Sequence, residues 1–407
     1  MVSPNFREQL VVADPPALQR VAQAVAAESR IALDTESNGF HAYTEQVCLV
    51  QIATQHADYA VDVLAVGLGP LVPLLADAQR EIVLHAAEYD VTSLKREWGL
   101  TLGRIFDTHA AAKVLGVGRV GLSDLLKDEL DVTLTEDQQR SDWGRRPLSA
   151  EQIAYAFADV QHLLQLRDTL GARLAHSGLL SEAEAEFSRL IAKEARPRQF
   201  DVEGWQKMKA ARTLDGPGRG VLREMYLLRD RRARELNRPP FKVLSDLLLA
   251  EVARRQPRTE EEVLRVPGAQ PGVLRKLAPQ ILEAVRAGQS GAPPPRPRAG
   301  QLPPWRRGAA DREVDDRYEK LRAWRKARAD ARKVEVQVIA PNAVLMAVAR
   351  SAPRTLDELA RVEGMDAFRI QQYGEEILGA LLQNAAPARG EGTESESAGA
   401  EPPARRR

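Results

Sequence analysis

A stretch of this chain recurs 96 residues further on without a gap. Pro257-Arg258-Thr259 returns as Pro353-Arg354-Thr355, and Arg265-Val266-Pro267-Gly268 as Arg361-Val362-Glu363-Gly364. Ile281-Leu282 returns as Ile377-Leu378, Val252-Ala253-Arg254 as Val348-Ala349-Arg350, and Arg229 and Ala233 match Arg325 and Ala329. Chance is a poor explanation for one constant offset, and such repetition marks tandem copies of one folded unit. From about residue 205 the chain reads as helical. Two homologous all-α domains are therefore expected, at residues 210–288 and 314–384. Residues 289–313 link them, with the Gly/Pro-rich run 290–304 as a stiff spacer. Residues 385–407, rich in Glu, Ser, Gly and Pro, read as a disordered tail. A chain of 407 residues is too long for one ordinary core, so residues 1–204 remain for a separate domain.

That first domain is organised around a short apolar strand ending in acid, Arg30-Ile31-Ala32-Leu33-Asp34-Thr35-Glu36. Side chains alternate faces along a strand, so Asp34 and Glu36 point to the same side. Like charges held side by side repel, and a fold tolerates this where a cation sits between them. Hard divalent ions such as Mg²⁺ and Mn²⁺ take oxygen ligands of this kind. Taken alone, Asp-x-Glu is common and reads as a solvated strand end, so the reading depends on further acids.

The surrounding pattern alternates. A helix is expected over 15–27, then strands over 47–53 and 58–64 as antiparallel neighbours, and a fourth strand over 81–85. A helix over 87–98, a short strand over 105–108 and a helix over 109–115 follow. This order gives a mixed sheet flanked by helices, an α/β domain. Ser149-Ala150-Glu151-Gln152 fits a capping box that starts a helix running to about residue 174. On that helix Tyr155 and Asp159 lie at i and i+4, hence on one face.

Charge divides the chain. Residues 1–204 carry 19 Lys+Arg against 30 Asp+Glu, a net of −11, while residues 205–333 carry 31 against 16, a net of +15. A metal-binding module joined to one that meets a polyanion fits this division. The blander alternative is a set of solvated basic helices. No run of eighteen apolar residues is present, and the N-terminal residues lack an apolar signal core, so a soluble cytoplasmic protein without membrane contact is expected. Cys48, the single cysteine, lies in an apolar run and reads as an inert buried thiol.

Two further acids could join the first pair. Asp90 follows strand four in His85-Ala86-Ala87-Glu88-Tyr89-Asp90, and Asp159 closes Tyr155-Ala156-Phe157-Ala158-Asp159. Each alone reads as a cap or a surface charge. Four acids converging on one point would bind two divalent ions, which stabilise the attacking and leaving oxygens of an in-line phosphoryl displacement.

At these motifs the chain resembles the ribonuclease D family of 3′→5′ exonucleases, the group with four acids and a tyrosine. Leu33-Asp34-Thr35-Glu36, the two motifs above, Ser141-Asp142-Trp143 and Arg146-Pro147-Leu148-Ser149 carry the resemblance. Both repeats resemble HRDC nucleic-acid-binding domains, the second more diverged. One departure is Glu136, where the family pattern has a lysine. The resemblance implies a ribonuclease H-like fold and hydrolysis of RNA from its 3′ end to nucleoside 5′-monophosphates, with precursors of tRNA or other structured RNAs as substrates. It implies that Asp34, Glu36 and Asp159 hold one Mg²⁺ or Mn²⁺, that Asp34 bridges to a second with Asp90 in support, and that Tyr155 binds the attacking water. Trp143, Arg145, Arg146, Arg231, Arg232, Arg325 and Lys326 are the candidate RNA contacts, and no obligatory protein partner is implied. The same chemistry on DNA, or a silent nucleic-acid-binding protein, are the competing readings.

Several residues have plainer readings. His85 reads as a packed strand end, Asp107 as a helix N-cap, and Trp143 as an anchor under its loop. Trp324 fits either its own domain core or a basic surface. The histidines at 41, 56, 109, 162 and 176 show no zinc-ligand spacing.

Overall fold

The computed structural model describes residues 7–134, 138–195, 199–268, 270–291 and 309–382. Glu136, most of the expected linker and the expected tail lie outside the described residues.

The N-terminal domain begins with β1 (Glu8–Val12), α1 (Pro15–Ala26), β2 (Arg30–Ser37), β3 (Val47–Ala53) and β4 (Ala57–Val61). Two short helical turns, α2 (Val63–Val66) and α3 (Val72–Leu75), lead to β5 (Glu81–Leu84), α4 (Glu88–Trp98) and β6 (Arg104–Asp107). Helices α5 (Thr108–Val114), α6 (Leu122–Leu130), α7 (Ala150–Gln161), α8 (Leu163–His176) and α9 (Leu180–Ala192) complete it.

The six strands order as β1-β4-β3-β2-β5-β6. β3 runs antiparallel to both β2 and β4, and the remaining pairs are parallel, so the sheet is mixed as expected. β3 is buried along its whole length, which explains why it is apolar throughout apart from Gln51. β1, by contrast, escapes sequence reading. It is a short edge strand whose Leu10 and Val11 remain exposed, so it shows no inward-facing alternation. The strand expected over 58–64 stops at Val61, because Asp62 turns to cap α2 through the Leu64 N–H. The helix expected from 149 to 174 is interrupted at His162, where φ −107° and ψ −4° end one helix and start the next without Gly or Pro.

The first repeat contains α10 (Gly216–Glu235), α11 (Pro240–Val243), α12 (Asp246–Arg255), α13 (Glu260–Leu264) and α14 (Pro271–Ser290). The second contains α15 (Ala309–Arg332), α16 (Val336–Ile339), α17 (Asn342–Ser351), α18 (Leu356–Leu359) and α19 (Ala367–Leu382). Each repeat buries its own apolar cluster. Val338 of the second repeat is buried instead in the main core of the N-terminal domain. Among the described residues, no helix is long and apolar enough to cross a membrane.

Candidate active site

β2 delivers Asp34 and Glu36 to one face of the sheet, and α7 lies across that face with Tyr155 and Asp159 one turn apart. Ser149 and Gln152 close the capping box reciprocally, which fixes where α7 starts and hence how far along it Tyr155 sits. Oxygen atoms of Asp34, Glu36 and Asp159 all lie within 4.8 Å of one another. They open onto a cleft of about 470 Å³ that His85, His109 and Tyr155 also line.

Asp90 stands apart from that trio. It is buried in the first turn of α4, and Thr35, pointing to the opposite face from Asp34, donates to its Oδ1 at 2.5 Å. The turn that carries Asp90 is held by Asp107. Its carboxylate accepts from the Ala86 and Ala87 N–H groups and also caps α5, as expected, through His109 and Ala110. Ala86 adopts φ +56°, a left-handed conformation costly for a residue with a Cβ, and the Asp107 bond helps hold it.

Electrostatics at the trio are those of closely packed carboxylates. Burial, and then the Asp159 charge, push the Asp34 carboxyl well above its ordinary range. Glu36 is pushed up to about 10, by burial and then by Asp34, Asp159 and Asp90. Asp90 is raised by burial and by Asp34. The neighbours that raise Asp34 and Glu36 are all acids. An all-oxygen donor set under this mutual repulsion fits a hard divalent cation, which would reverse every one of these shifts.

Tyr155 is half-buried, and its hydroxyl hydrogen-bonds Asp159. Burial and the three acids raise its pKa, so the phenol keeps its proton at neutral pH. Its ring sits 6.0 Å from that of Trp143. His85 is bound through Nδ1 to Thr108 Oγ1 at 2.9 Å and meets the His109 ring edge-on at 5.6 Å. Burial pulls its pKa down to about 3, so it is uncharged at neutral pH. The sequence reading treated both histidines as bystanders. Their place on the cleft arises from the ends of β5 and β6 meeting, which leaves no local signature.

The expected RNA contacts separate into two groups. Trp143 is only 1% exposed and packs with Leu49, Ala156 and Phe157, so it is an anchor and not a stacking platform in this structure. Arg146 grips Asp62 with two guanidinium nitrogens, at 2.5 and 2.7 Å, and caps the Trp143 carbonyl. Arg325 is buried and donates to the Ala340 carbonyl at 2.7 Å. These three correct the expectation, because interior or paired side chains do not face a polyanion. Arg232 pairs with Glu235, and Arg145, Arg231 and Lys326 are exposed. Trp324 takes the core option, donating to Glu376 at 2.8 Å and meeting the Tyr373 ring at 5.8 Å.

Comparison with known proteins agrees with this arrangement. A family model for 3′-5′ exonuclease matches residues 10–175, and one for the HRDC domain matches residues 218–285 and again 314–381. Ribonuclease D of Pseudomonas paraeruginosa is 32% identical over 360 residues, which cover 86% of this chain and 92% of that protein. The catalytic core of RRP6 from Trypanosoma brucei superposes with a TM-score of 0.64 at 26% identity, covering 70% of this chain and 81% of that one. Escherichia coli RNase D has the same fold, with a TM-score of 0.65 at 22% identity over 92% of this chain and 98% of that one. This chain belongs to the ribonuclease D family and is a 3′→5′ exoribonuclease with two HRDC domains.

Proposed function

We propose that the enzyme trims the 3′ ends of tRNA precursors or other structured RNAs in the cytoplasm, using two Mg²⁺ or Mn²⁺ ions. The observation that carries this reading is the meeting of Asp34, Glu36 and Asp159 in one cleft beside Tyr155. Asp34, Glu36 and Asp159 would hold one ion, with Asp34 shared with the second and Asp90 supporting it from beneath β2. When bound, such a pair would acidify the attacking water and offset the charge growing on the departing oxygen.

The chain's own groups then have defined tasks. Water attacks the terminal phosphorus, the bond to the 3′ oxygen of the preceding nucleotide breaks, and a nucleoside 5′-monophosphate leaves. Tyr155, a protonated phenol anchored on Asp159, orients that water and does not accept its proton. His85, uncharged, adds no positive charge to the cleft. Among the candidate contacts, the exposed Arg145 and Arg231 supply attraction for the RNA body, and Lys326, 3.6 Å from Asp330, adds less.

The test is hydrolysis of a 3′-labelled RNA and its DNA counterpart with Mg²⁺, Mn²⁺ or EDTA. Asp34→Asn should abolish release of nucleotides, as should EDTA. Tyr155→Phe should lower kcat roughly ten- to a thousandfold with KM nearly unchanged. Unchanged turnover in a highly purified Asp34→Asn protein would remove the metal assignment. Equal trimming of the DNA strand would move the reading to a DNA exonuclease.

A further inference from the structure

Gln51 lies in the middle of β3, with none of its surface exposed. Neither its amide nitrogen nor its amide oxygen has a hydrogen-bond partner among the described residues. A buried primary amide left in this state is costly, by the lost solvation of two donors and an acceptor. Its position shows what the cost is for. Gln51 is the direct cross-strand partner of Asp34 in the β2–β3 ladder, and directly opposed residues project from the same face. Leu49, the next residue on that face of β3, opposes Glu36 and packs under α7 against Ala156 and Phe157. The amide is therefore enclosed between the sheet and α7, beside the carboxylates of the cleft. On its other side β4 places Ala60, which offers no polar side chain.

We propose that Gln51 is a positioning residue for Asp34: its amide N–H₂ donates to the Asp34 carboxylate and fixes that carboxylate's orientation when the site is loaded. The inference rests on the metal-site reading above. Side chains directly opposed across an antiparallel pair have Cβ atoms about 4.5–5.5 Å apart, so rotation about the Gln51 side-chain torsions alone brings the amide to Asp34. A carboxylate shared between two cations must hold one orientation, and hydrogen bonds from the layer behind the ligands supply that constraint.

One competing partner is present. Asp58 Oδ2, on the same face of β4 and diagonal to Gln51, is also buried without a hydrogen-bond partner. Diagonal neighbours are farther apart, about 7–8 Å, so the direct neighbour Asp34 is favoured. The two partners give opposite outcomes on substitution.

The experiment compares the full-length protein with Gln51→Met, Gln51→Leu and Asp34→Asn. Mn²⁺ binding is read by calorimetry and metal-free stability by thermal unfolding, alongside nucleotide release. Met keeps the length of Gln without its polar atoms. Removing an unsatisfied buried amide should leave the metal-free melting temperature unchanged or higher. The Mn²⁺ dissociation constant should rise roughly 10- to 100-fold, with turnover falling in parallel at subsaturating metal. Wild-type Mn²⁺ affinity in a folded Gln51→Met protein overturns the proposal. So does a lowered metal-free melting temperature or failure of both variants to fold, since the amide would then be holding the fold, through Asp58 or otherwise. If the wild type binds no Mn²⁺, or Asp34→Asn binds it equally well, the metal-site reading itself fails and takes this role with it.

Discussion

Helix α12 of the first repeat and α17 of the second each run ten residues, start 96 apart, and end on a left-handed residue, Gln256 at φ +48° in one and Ala352 at φ +46° in the other. The agreement extends to single hydrogen bonds. Thr259 caps α13 through the Glu262 N–H as Thr355 caps α18 through Glu358, and Glu262 and Glu358 each accept from the backbone four residues back. Arg229 donates to the Leu244 carbonyl as Arg325 does to Ala340. What differs is how closely the first helix is approached. In the first repeat α10 and α14 cross so closely that a Cβ on Gly220 would lie 2.1 Å from the Gly288 oxygen, whereas the matching position of the second is Asp316, which pairs with Lys320.

Docking differs more. The first repeat meets the N-terminal domain through a polar contact: Tyr43 donates to Asp230 at 2.6 Å, accepts from Arg234 at 2.8 Å, and its N–H reaches Asn237. Tyr43 lies in the loop leaving the strand of Asp34 and Glu36. The second repeat is fastened more deeply. Arg369 joins buried Glu186, Arg332 joins Glu182 at 2.8 Å, Lys113 joins Glu335 at 3.1 Å, and Val338 enters the main core. Net charge divides the same way: residues 210–288 carry +6 and residues 314–384 carry +1. One ancestral unit has become a part of the enzyme's body in one copy. In the other copy it remains a charged attachment held through the Tyr43 loop. An interior skeleton can be copied while the surface is free to change, because the core is what specifies the fold.

The largest effect should come from cutting the second repeat's fastening. Arg369 is 3% exposed at the side chain and faces Glu186 and Asp366. Arg369→Ala would remove the cation shared by Glu186 and Asp366 at this seam while Glu186 keeps Arg189 at 2.6 Å, at a cost of about 1–3 kcal/mol. Urea unfolding at pH 7 checks this, and a loss under about 1 kcal/mol would mean that Val338 and the Arg332–Glu182 and Lys113–Glu335 pairs hold the dock without it. The same seam changes how a truncation is read. Cutting the chain near residue 203 strips partners from Glu182 and Glu186, so weak activity in that fragment would report on folding as much as on RNA tethering.

A smaller effect distinguishes the repeats as RNA surfaces. Arg231 of the first and Lys326 of the second are both exposed. If the first repeat is the tether, Arg231→Ala should reduce the slope of log K against log salt for a folded RNA by about 0.7–0.9, one phosphate contact. Lys326→Ala, which lies 3.6 Å from Asp330, should change it little. Equal changes would assign the tether to both copies.

How much of this was legible beforehand depends on the range of the interaction. Strand alternation put Asp34 and Glu36 on one face, the Ser149–Gln152 box set the start of α7, and Asp107 read as an N-cap, because each is decided within a few residues. The apolar stretch over 47–53, interrupted only by Gln51, marked β3 to the residue. The 96-residue offset carried through to helix starts. Contacts made across long separations were not legible. Nothing near Glu186 announces Arg369, 183 residues away, and nothing in the run around Gln51 marks it as the neighbour of Asp34. Arg146 and Arg325 looked like surface cations because charge in a sequence does not reveal burial. Only their partners do, Asp62 in one case and a helix-end carbonyl in the other.

The smallest effect tests how far the second copy has drifted. Arg229 in the first repeat has a carboxylate at hand, Asp246, the first residue of α12. The matching residue of α17 is Asn342, and Arg325 is left with one carbonyl and an unpartnered Nε. Asn342→Asp would restore the pair and place a negative charge on the first turn of a helix. Asp246 is 75% exposed at its side chain, so the ion pair itself contributes little, about 0–1 kcal/mol. The helix-terminus term adds about 0.3–1 kcal/mol at low salt. A gain of about 0.5–1.5 kcal/mol in unfolding free energy is expected, shrinking as salt is raised, and Asp246→Asn in the first repeat should lose a similar amount. If both substitutions are neutral at low ionic strength, the carboxylate was never stabilising, and the asymmetry at this position reflects neutral change and not divergence in how the two copies are held.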